Sequence, residues 1–360
     1  MKEKLVLPIQ LNGIDAATEC WTFNRLAILK TGPYYEDWMV SHYNLMGAAN
    51  YNLYFGELEH YTTAYHDEIL LREERPFFAL RQETVVEVLK QVLNTEKYPL
   101  LYFKPFAAED DYFHEVLFFG YDDAVEEFRA LVADERVYKV LTYRYSYVRE
   151  VLPQVQNYLL KDADLGVRLS LEFQSPFTTF QLNKSYNPKN CAFLALKKLK
   201  TELAGKKLAV TAVGDFGKLS ASKTQYTGLA CLTAFSDILL AILNRSDFEN
   251  CFRGAAGAAQ KLLEHRLLLT KGMEYLLKKW PLAVTPQAKA AAEEYRALCE
   301  TVEKWKNICL KYEFTKNEAL LQRILPEIEP QLYKEQACLS RFVNNGINKP
   351  CFAKTICSST

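Results

Sequence analysis

The chain has 360 residues, enough for two domains, and its 49% hydrophobic and 24% charged residues are the balance of an ordinary globular protein. Lysine plus arginine equals aspartate plus glutamate at 44 each, which argues against a dedicated nucleic-acid binder and leaves room for a local basic patch. No stretch reaches the ~18 consecutive apolar residues that cross a bilayer, and the apolar stretch before Pro8 is too short for a secretory signal, so the expectation is a cytoplasmic protein without a membrane partner.

The elements follow in chain order. Residues 19–30 carry apolar side chains at helical spacing and stop at Thr31-Gly32-Pro33, a helix-ending signal. A second helix is predicted over 35–49 and a third over 82–94, with Val85, Val88, Leu89 and Val92 on one face. Strands are predicted over 99–104, 114–121 and 127–133. The stretch DDAVE between the last two has turn chemistry and makes them a hairpin. A further strand opens near Val137, a helix follows from about Tyr147, and 167–182 alternates in part like extended chain.

From Cys191 the character changes to long segments rich in alanine, leucine and lysine, over 191–204, 221–244, 248–280, 285–312 and 316–343. Gly205, residues 244–247, Pro281 with Pro286, and residues 313–317 break them. The reading is an α+β chain: a mixed domain over 1–185, an all-helical bundle over 186–345 and a frayed tail over 346–360.

Nine cysteines stand at wide spacing without a CxxC pair, which argues against a disulfide scaffold or a zinc site. Most read as small buried apolar residues. Cys20 differs, because it falls in the first turn of a predicted helix that Asp15 or Thr18 can cap. Unpaired backbone N–H groups and the positive end of the helix dipole favour thiolate there, and thiolate is the nucleophile. His114 opens the strand HEVLFFGYD, and Asp134 closes the strand after it. In a hairpin these two ends are adjacent, so Asp134 can hold the His114 imidazole in one tautomer.

The order of Cys20 on a helix start, His114 opening a strand and Asp134 ending the next resembles the papain-like cysteine peptidases. Among those peptidases it resembles especially the compact bacterial branch that trims double-glycine leader peptides. The stretches ECW…LAILKTG and HEVLFFGYDD, followed by a helical half, resemble the butirosin biosynthesis protein H family over nearly the whole chain. That resemblance implies a papain-like fold and a cysteine acyltransferase of antibiotic and nonribosomal peptide pathways. Such an enzyme takes an acyl group from the phosphopantetheine thioester of an acyl or peptidyl carrier protein and passes it to a small-molecule amine, without a further cofactor or metal. A peptidase or amide hydrolase on the same fold, and an inactive carrier-protein-binding module, are the alternatives.

Papain-like peptidases place an oxyanion-hole glutamine six residues before the cysteine, and here that position is Ile14. Gln10 and Asn12 are the nearby amides, and either can donate beside the Cys20 backbone N–H. Trp21, Phe173, Phe177 and Phe180 are candidates to line an acyl channel, with the extended segment 167–182 lying across the cleft; filling a core is the plainer reading of these phenylalanines.

Other features read as structural. Asp122 and Asp123 are turn residues, His60 and His66 have no ligand spacing, and His42 and His265 fall among polar helix neighbours as solvated residues. Lys197, Lys198, Lys200, Lys206 and Lys207 form a solvated helix end or a docking patch for an acidic carrier protein. The GDFGK stretch at 214–218 lacks the glycine spacing of a phosphate loop.

Overall fold

A computed structural model describes residues 2–13, 20–42, 46–49, 52–55, 69–105, 113–134, 137–161, 175–210, 223–244, 254–281 and 284–345. The fold is α+β. In chain order the elements are β1 (Lys4–Val6), α1 (Cys20–Leu29), α2 (Tyr35–His42), β2 (Met46–Ala49), β3 (Asn52–Phe55), β4 (Leu70–Glu74), α3 (Val85–Asn94), β5 (Tyr98–Phe103), β6 (His114–Asp122), β7 (Glu127–Asp134), β8 (Val137–Arg144), α4 (Tyr145–Lys161) and β9 (Phe177–Leu182). Then come α5 (Cys191–Leu203), β10 (Lys207–Val210), β11 (Lys223–Thr227), α6 (Cys231–Leu243), α7 (Gly254–Lys279), α8 (Pro286–Thr315) and α9 (Ala319–Ser340). No helix among the described residues is long and apolar enough to cross a membrane. The chain divides into two compact units, one of Met1–Tyr35 with His60–Asn187, the other of Glu36–Glu59 with Pro188–Thr360.

The first unit is built on a seven-stranded antiparallel sheet in the order β4-β9-β5-β6-β7-β8, with β1 joined to β6. Strand β6 is buried along nearly its whole length, which is why its sequence is a continuous apolar run rather than an alternation. β7 takes one edge of it. The other edge is shared, with β5 pairing residues 114–117 and β1 pairing residues 120–122. The ladder to β7 shifts register between Phe118 and Gly120, a bulge at the point where the partners change.

Gly120 explains itself there. A Cβ on it would stand 2.7 Å from the Leu5 carbonyl oxygen and 3.1 Å from Val6 Cα, both backbone atoms. Gly120→Ala is therefore expected to push β1 off the sheet and to cost about 1–3 kcal/mol of stability. Urea unfolding of the variant checks this; an unchanged midpoint and slope would mean that β1 yields freely.

Phe103, Phe118, Phe128, Tyr143 and Tyr147 fill one face of the sheet, their rings mostly edge-on or tilted at 5.5–6.2 Å. Helices α3 and α4 cover that face. Helix α1 covers the other. Phe23 stacks on Tyr138 of β8, the Asn24 amide reaches Glu115 of β6, and the Arg25 guanidinium lies over the Phe180 ring of β9.

The DDAVE turn closes the far end of the β6–β7 hairpin. Asp122 Oδ1 accepts the Ala124 backbone N–H at 3.1 Å, as a turn aspartate does. Asp123 does more, since its Oδ1 accepts Tyr145 Oη at 2.7 Å and lies 2.9 Å from Lys90 Nζ. Burial pushes the Asp123 carboxyl up, and the Lys90 ammonium and the Tyr145 hydroxyl outweigh it, leaving its pKa below the ordinary value. A depressed carboxyl contributes stability that is present above the unfolded value near ~4 and is lost as pH falls through the folded one. Asp123→Asn is expected to cost about 1–2 kcal/mol at neutral pH. The difference from wild type should shrink on acidification, and denaturant midpoints measured from pH 7 to pH 3 read it.

The second unit has a helical C-terminal region, and it is not all-helical as expected. It contains a four-stranded antiparallel sheet in the order β10-β11-β2-β3. One of those strands, β2, comes from the segment predicted as a helix over 35–49; α2 ends at His42, and Met46–Ala49 pairs with both β3 and β11. Likewise the helix predicted from 221 begins at Cys231, because Lys223–Thr227 is a strand. Helix α8 starts as its sequence directs: Thr285 Oγ1 accepts the Ala288 N–H at 3.2 Å, and Pro286 takes the first helical position, where no N–H is needed.

His265 is fully buried, which corrects its reading as a solvated helix residue. Its Nε2 lies 3.1 Å from Glu202 Oε1, and its Nδ1 lies 3.0 Å from Arg266 Nη1. Arg266 Nε in turn donates to Glu335 Oε2 at 3.1 Å, and Gln331 donates to Glu335 Oε1 at 2.9 Å. The network lets charged groups from α5, α7 and α9 lie inside the helical region, each with a partner. His42 is half-buried and stacks on Trp38, with ring centroids 5.5 Å apart. His60, His66, residues 214–218 and the tail 346–360 lie outside the described residues.

Candidate functional site

The three residues singled out for nucleophilic chemistry stand on α1, β6 and β7, elements of the first unit. Helix α1 opens at Cys20, with no acidic residue in its first turn to oppose a thiolate. Phe23 and Asn24, the next residues along that turn, contact the starts of β8 and β6. His114 is the first residue of β6, and β5 pairs it with Phe103. The β6–β7 ladder runs to Val116 opposite Val132, and one two-residue step further along both strands stand His114 and Asp134. Backbone topology thus sets the start of β6 beside the end of β7, and Asn24 of α1 beside Glu115 of β6. The side chains of Cys20, Trp21 and Asp134, and all of Phe173, lie outside the described residues.

His114 is half-buried, and its Nδ1 stands 3.4 Å from the Glu115 carbonyl oxygen. Strand alternation sends His114 to the face of Val116 and Phe118, and sends Glu115 to the face that α1 covers. An imidazole serving Cys20 therefore has to work at the open end of the sheet, which its place as first residue of the strand allows.

Several expected site residues fall elsewhere. Gln10 is exposed, and its backbone N–H bonds the Ala27 carbonyl at 2.9 Å. Ala27 lies about 10 Å along the helix from Cys20 at ~1.5 Å per residue, and Lys30 Nζ donates to the Gly13 carbonyl. Gln10 and Asn12 therefore flank the far end of α1, not its first turn, and neither sits where an oxyanion donor would. Phe177 and Phe180 are both buried to 1% exposure and, three apart on a strand, face opposite sides of the sheet. They fill two core layers and do not line one channel. Their strand β9 runs between β4 and β5, so this part of 167–182 is a sheet strand and not a flap.

Asp122 and Asp123, the nearest alternatives to Asp134 in sequence, stand at the other end of β6, about 26 Å from His114 at ~3.3 Å per residue. They cannot orient its ring. What the sequence reading passed over is Asn24 and Glu115, a buried polar contact between α1 and β6. The one available signal was a glutamate inside an apolar strand, directly after the histidine.

The other described thiols are quiet. Cys191, Cys231, Cys299, Cys309 and Cys338 are free and buried. Burial raises all five, Cys299 and Cys338 to about 11 and Cys309 to about 12. Lys197, Lys200, Lys206 and Lys207 are exposed, as a solvated helix end is. Among the described residues no three His, Cys, Asp or Glu side chains gather as a metal site. No protein-family model matches the chain, and no curated protein sequence matches it.

Proposed function

We propose that the chain is a cysteine-dependent acyltransferase on a papain-like framework, moving an acyl group from a carrier-protein thioester to an amine. What supports this reading is a helix that opens at Cys20 and packs through Asn24 on the strand that His114 opens, with Asp134 at the adjacent end of β7.

In the proposed reaction Cys20 gives its thiol proton to His114, and the thiolate attacks the thioester carbonyl. The bond from that carbon to the pantetheine sulfur breaks, and the departing thiolate takes the proton back from the imidazolium. An amine then attacks the Cys20 acyl-enzyme and passes a proton to His114. The bond to Cys20 sulfur breaks, and His114 returns the proton to that sulfur. Asp134 holds the imidazole throughout. Exchange of one thioester for another is nearly balanced, and aminolysis runs downhill, so the cycle is complete without ATP. The carrier protein and the acceptor amine are the partners this chemistry requires.

The test is product partition. The full chain is incubated with an acyl-pantetheine thioester and a panel of amines. Amide rising at the expense of free acid as amine is added supports the transferase. Free acid alone across the panel moves the reading to a hydrolase, and no turnover at all moves it to a binding module.

A further inference from the structure

Between the helix that carries Cys20 and the strand that carries His114 lies a polar contact that the reaction above does not use. Asn24 is 1% exposed and Glu115 is 3% exposed. Asn24 Nδ2 stands 3.5 Å from Glu115 Oε2, and Asn24 Oδ1 is buried without a hydrogen-bond partner among the described residues. Phe23, Leu26 and Ala27 on α1 and Val116 and Leu117 on β6 are buried apolar neighbours in sequence, and Arg25, next to Asn24, is buried as well. The Asn24 carboxamide loses hydration there that its 3.5 Å contact restores only in part. An aliphatic side chain of similar volume at position 24 would serve stability as well or better.

Position accounts for them. Asn24 lies four residues after Cys20, on the same face of α1 one turn along. Glu115 is the residue next to His114. One contact therefore joins the helix that carries the nucleophile to the strand that carries the base. Apolar packing alone lets a helix slide or roll over a sheet by a fraction of an ångström. A hydrogen bond between two short side chains resists both motions, and a misplacement of about 1 Å in a reacting pair costs up to ~10²-fold in rate.

We propose that Asn24 and Glu115 are a positioning pair that fixes the start of α1 against the start of β6 and so sets the reach between Cys20 and His114. The proposal rests on the acyltransferase reading. Neither residue touches substrate, and both act through the two that do.

The experiment uses the full chain and three variants. Glu115→Leu removes the polar contact, Glu115→Gln keeps a hydrogen-bonding side chain of the same shape, and Asn24→Leu removes the contact from the other side. For each, three quantities are measured: the melting temperature, the pH dependence of Cys20 alkylation by iodoacetamide, and kcat and KM for thioester turnover. In wild type, alkylation at Cys20 should persist well below the ordinary thiol pKa of ~8.5 and lose that low-pH limb in His114→Ala. Glu115→Leu should lose the limb and drop kcat by about tenfold or more with KM unchanged, and Asn24→Leu should do so while melting no lower than wild type. Glu115→Gln should recover most of both. Asn24→Leu should match Glu115→Leu, and it carries the test if Glu115→Leu does not fold. A folded Glu115→Leu or Asn24→Leu that keeps the low-pH limb and kcat overturns the positioning pair and leaves the transferase reading standing. A wild-type protein without a limb that depends on His114 overturns the transferase reading and the pair together.

Discussion

Cys20→Ala is expected to lower thioester turnover by about 10⁴-fold or more, with the melting temperature of the wild type. The size follows from the role. An alanine removes the atom that forms the covalent intermediate, and the remaining groups can only hold the thioester near water. In the proposed mechanism the helix start supplies the reactivity, because first-turn N–H groups have no partners within a helix and their partial charge favours an anion. No carboxylate sits in that turn to cancel it. The competing described thiols start from the wrong place, since burial raises the pKa of Cys191, Cys231, Cys299, Cys309 and Cys338 and leaves them protonated at neutral pH. Steady-state rates with an acyl-pantetheine thioester check the prediction. A Cys20→Ala protein with more than a tenth of wild-type turnover would move the nucleophile elsewhere.

His114→Ala is expected to lose nearly as much, about 10³–10⁴-fold, and Asp134→Ala much less, about 10–10²-fold. Removing the imidazole removes the proton acceptor in both halves of the reaction. Removing Asp134 leaves an imidazole that is badly oriented and still basic. The inequality is informative because β6 alternation turns His114 away from the face that α1 covers. If the imidazole serves Cys20 around the open end of the sheet, its loss is severe. If it belongs to the other face's packing, His114→Ala changes the melting temperature and leaves the rate alone. An Asp134→Ala enzyme at full rate would take Asp134 out of the proposed mechanism, and Asp122 and Asp123 could not replace it from the other end of the strand.

Much of the site's frame was legible because its signals are local. The Thr31-Gly32-Pro33 stop set the end of α1, the apolar run after His114 marked a strand buried on both faces, and DDAVE fixed the hairpin that returns the chain to Asp134. What escaped depends on distant partners. Met46–Ala49 is small and helix-tolerant, and it becomes a strand because Lys223–Thr227 pairs with it from the other half of the chain. His265 sits among polar neighbours in sequence and is buried in space because Glu202 and Arg266 satisfy its two nitrogens. Phe177 and Phe180 looked like one apolar surface, and the two-residue period of a strand splits them. Gln10 and Asn12 were chosen by nearness to Cys20 in sequence, and the chain crosses α1 near its other end. Glu115 was visible, and its partner Asn24 was not, because nothing in a helix of that composition says which face meets a glutamate.

The acyl-enzyme itself is the most direct measurement. Full-length protein is mixed with an acyl-pantetheine thioester without amine, quenched in acid, weighed intact by mass spectrometry and mapped by peptide digestion. The account predicts one acyl group per chain, on the peptide that contains Cys20, released on adding an amine and missing from Cys20→Ala. An adduct that maps to another residue, or one that forms equally in Cys20→Ala, would contradict it.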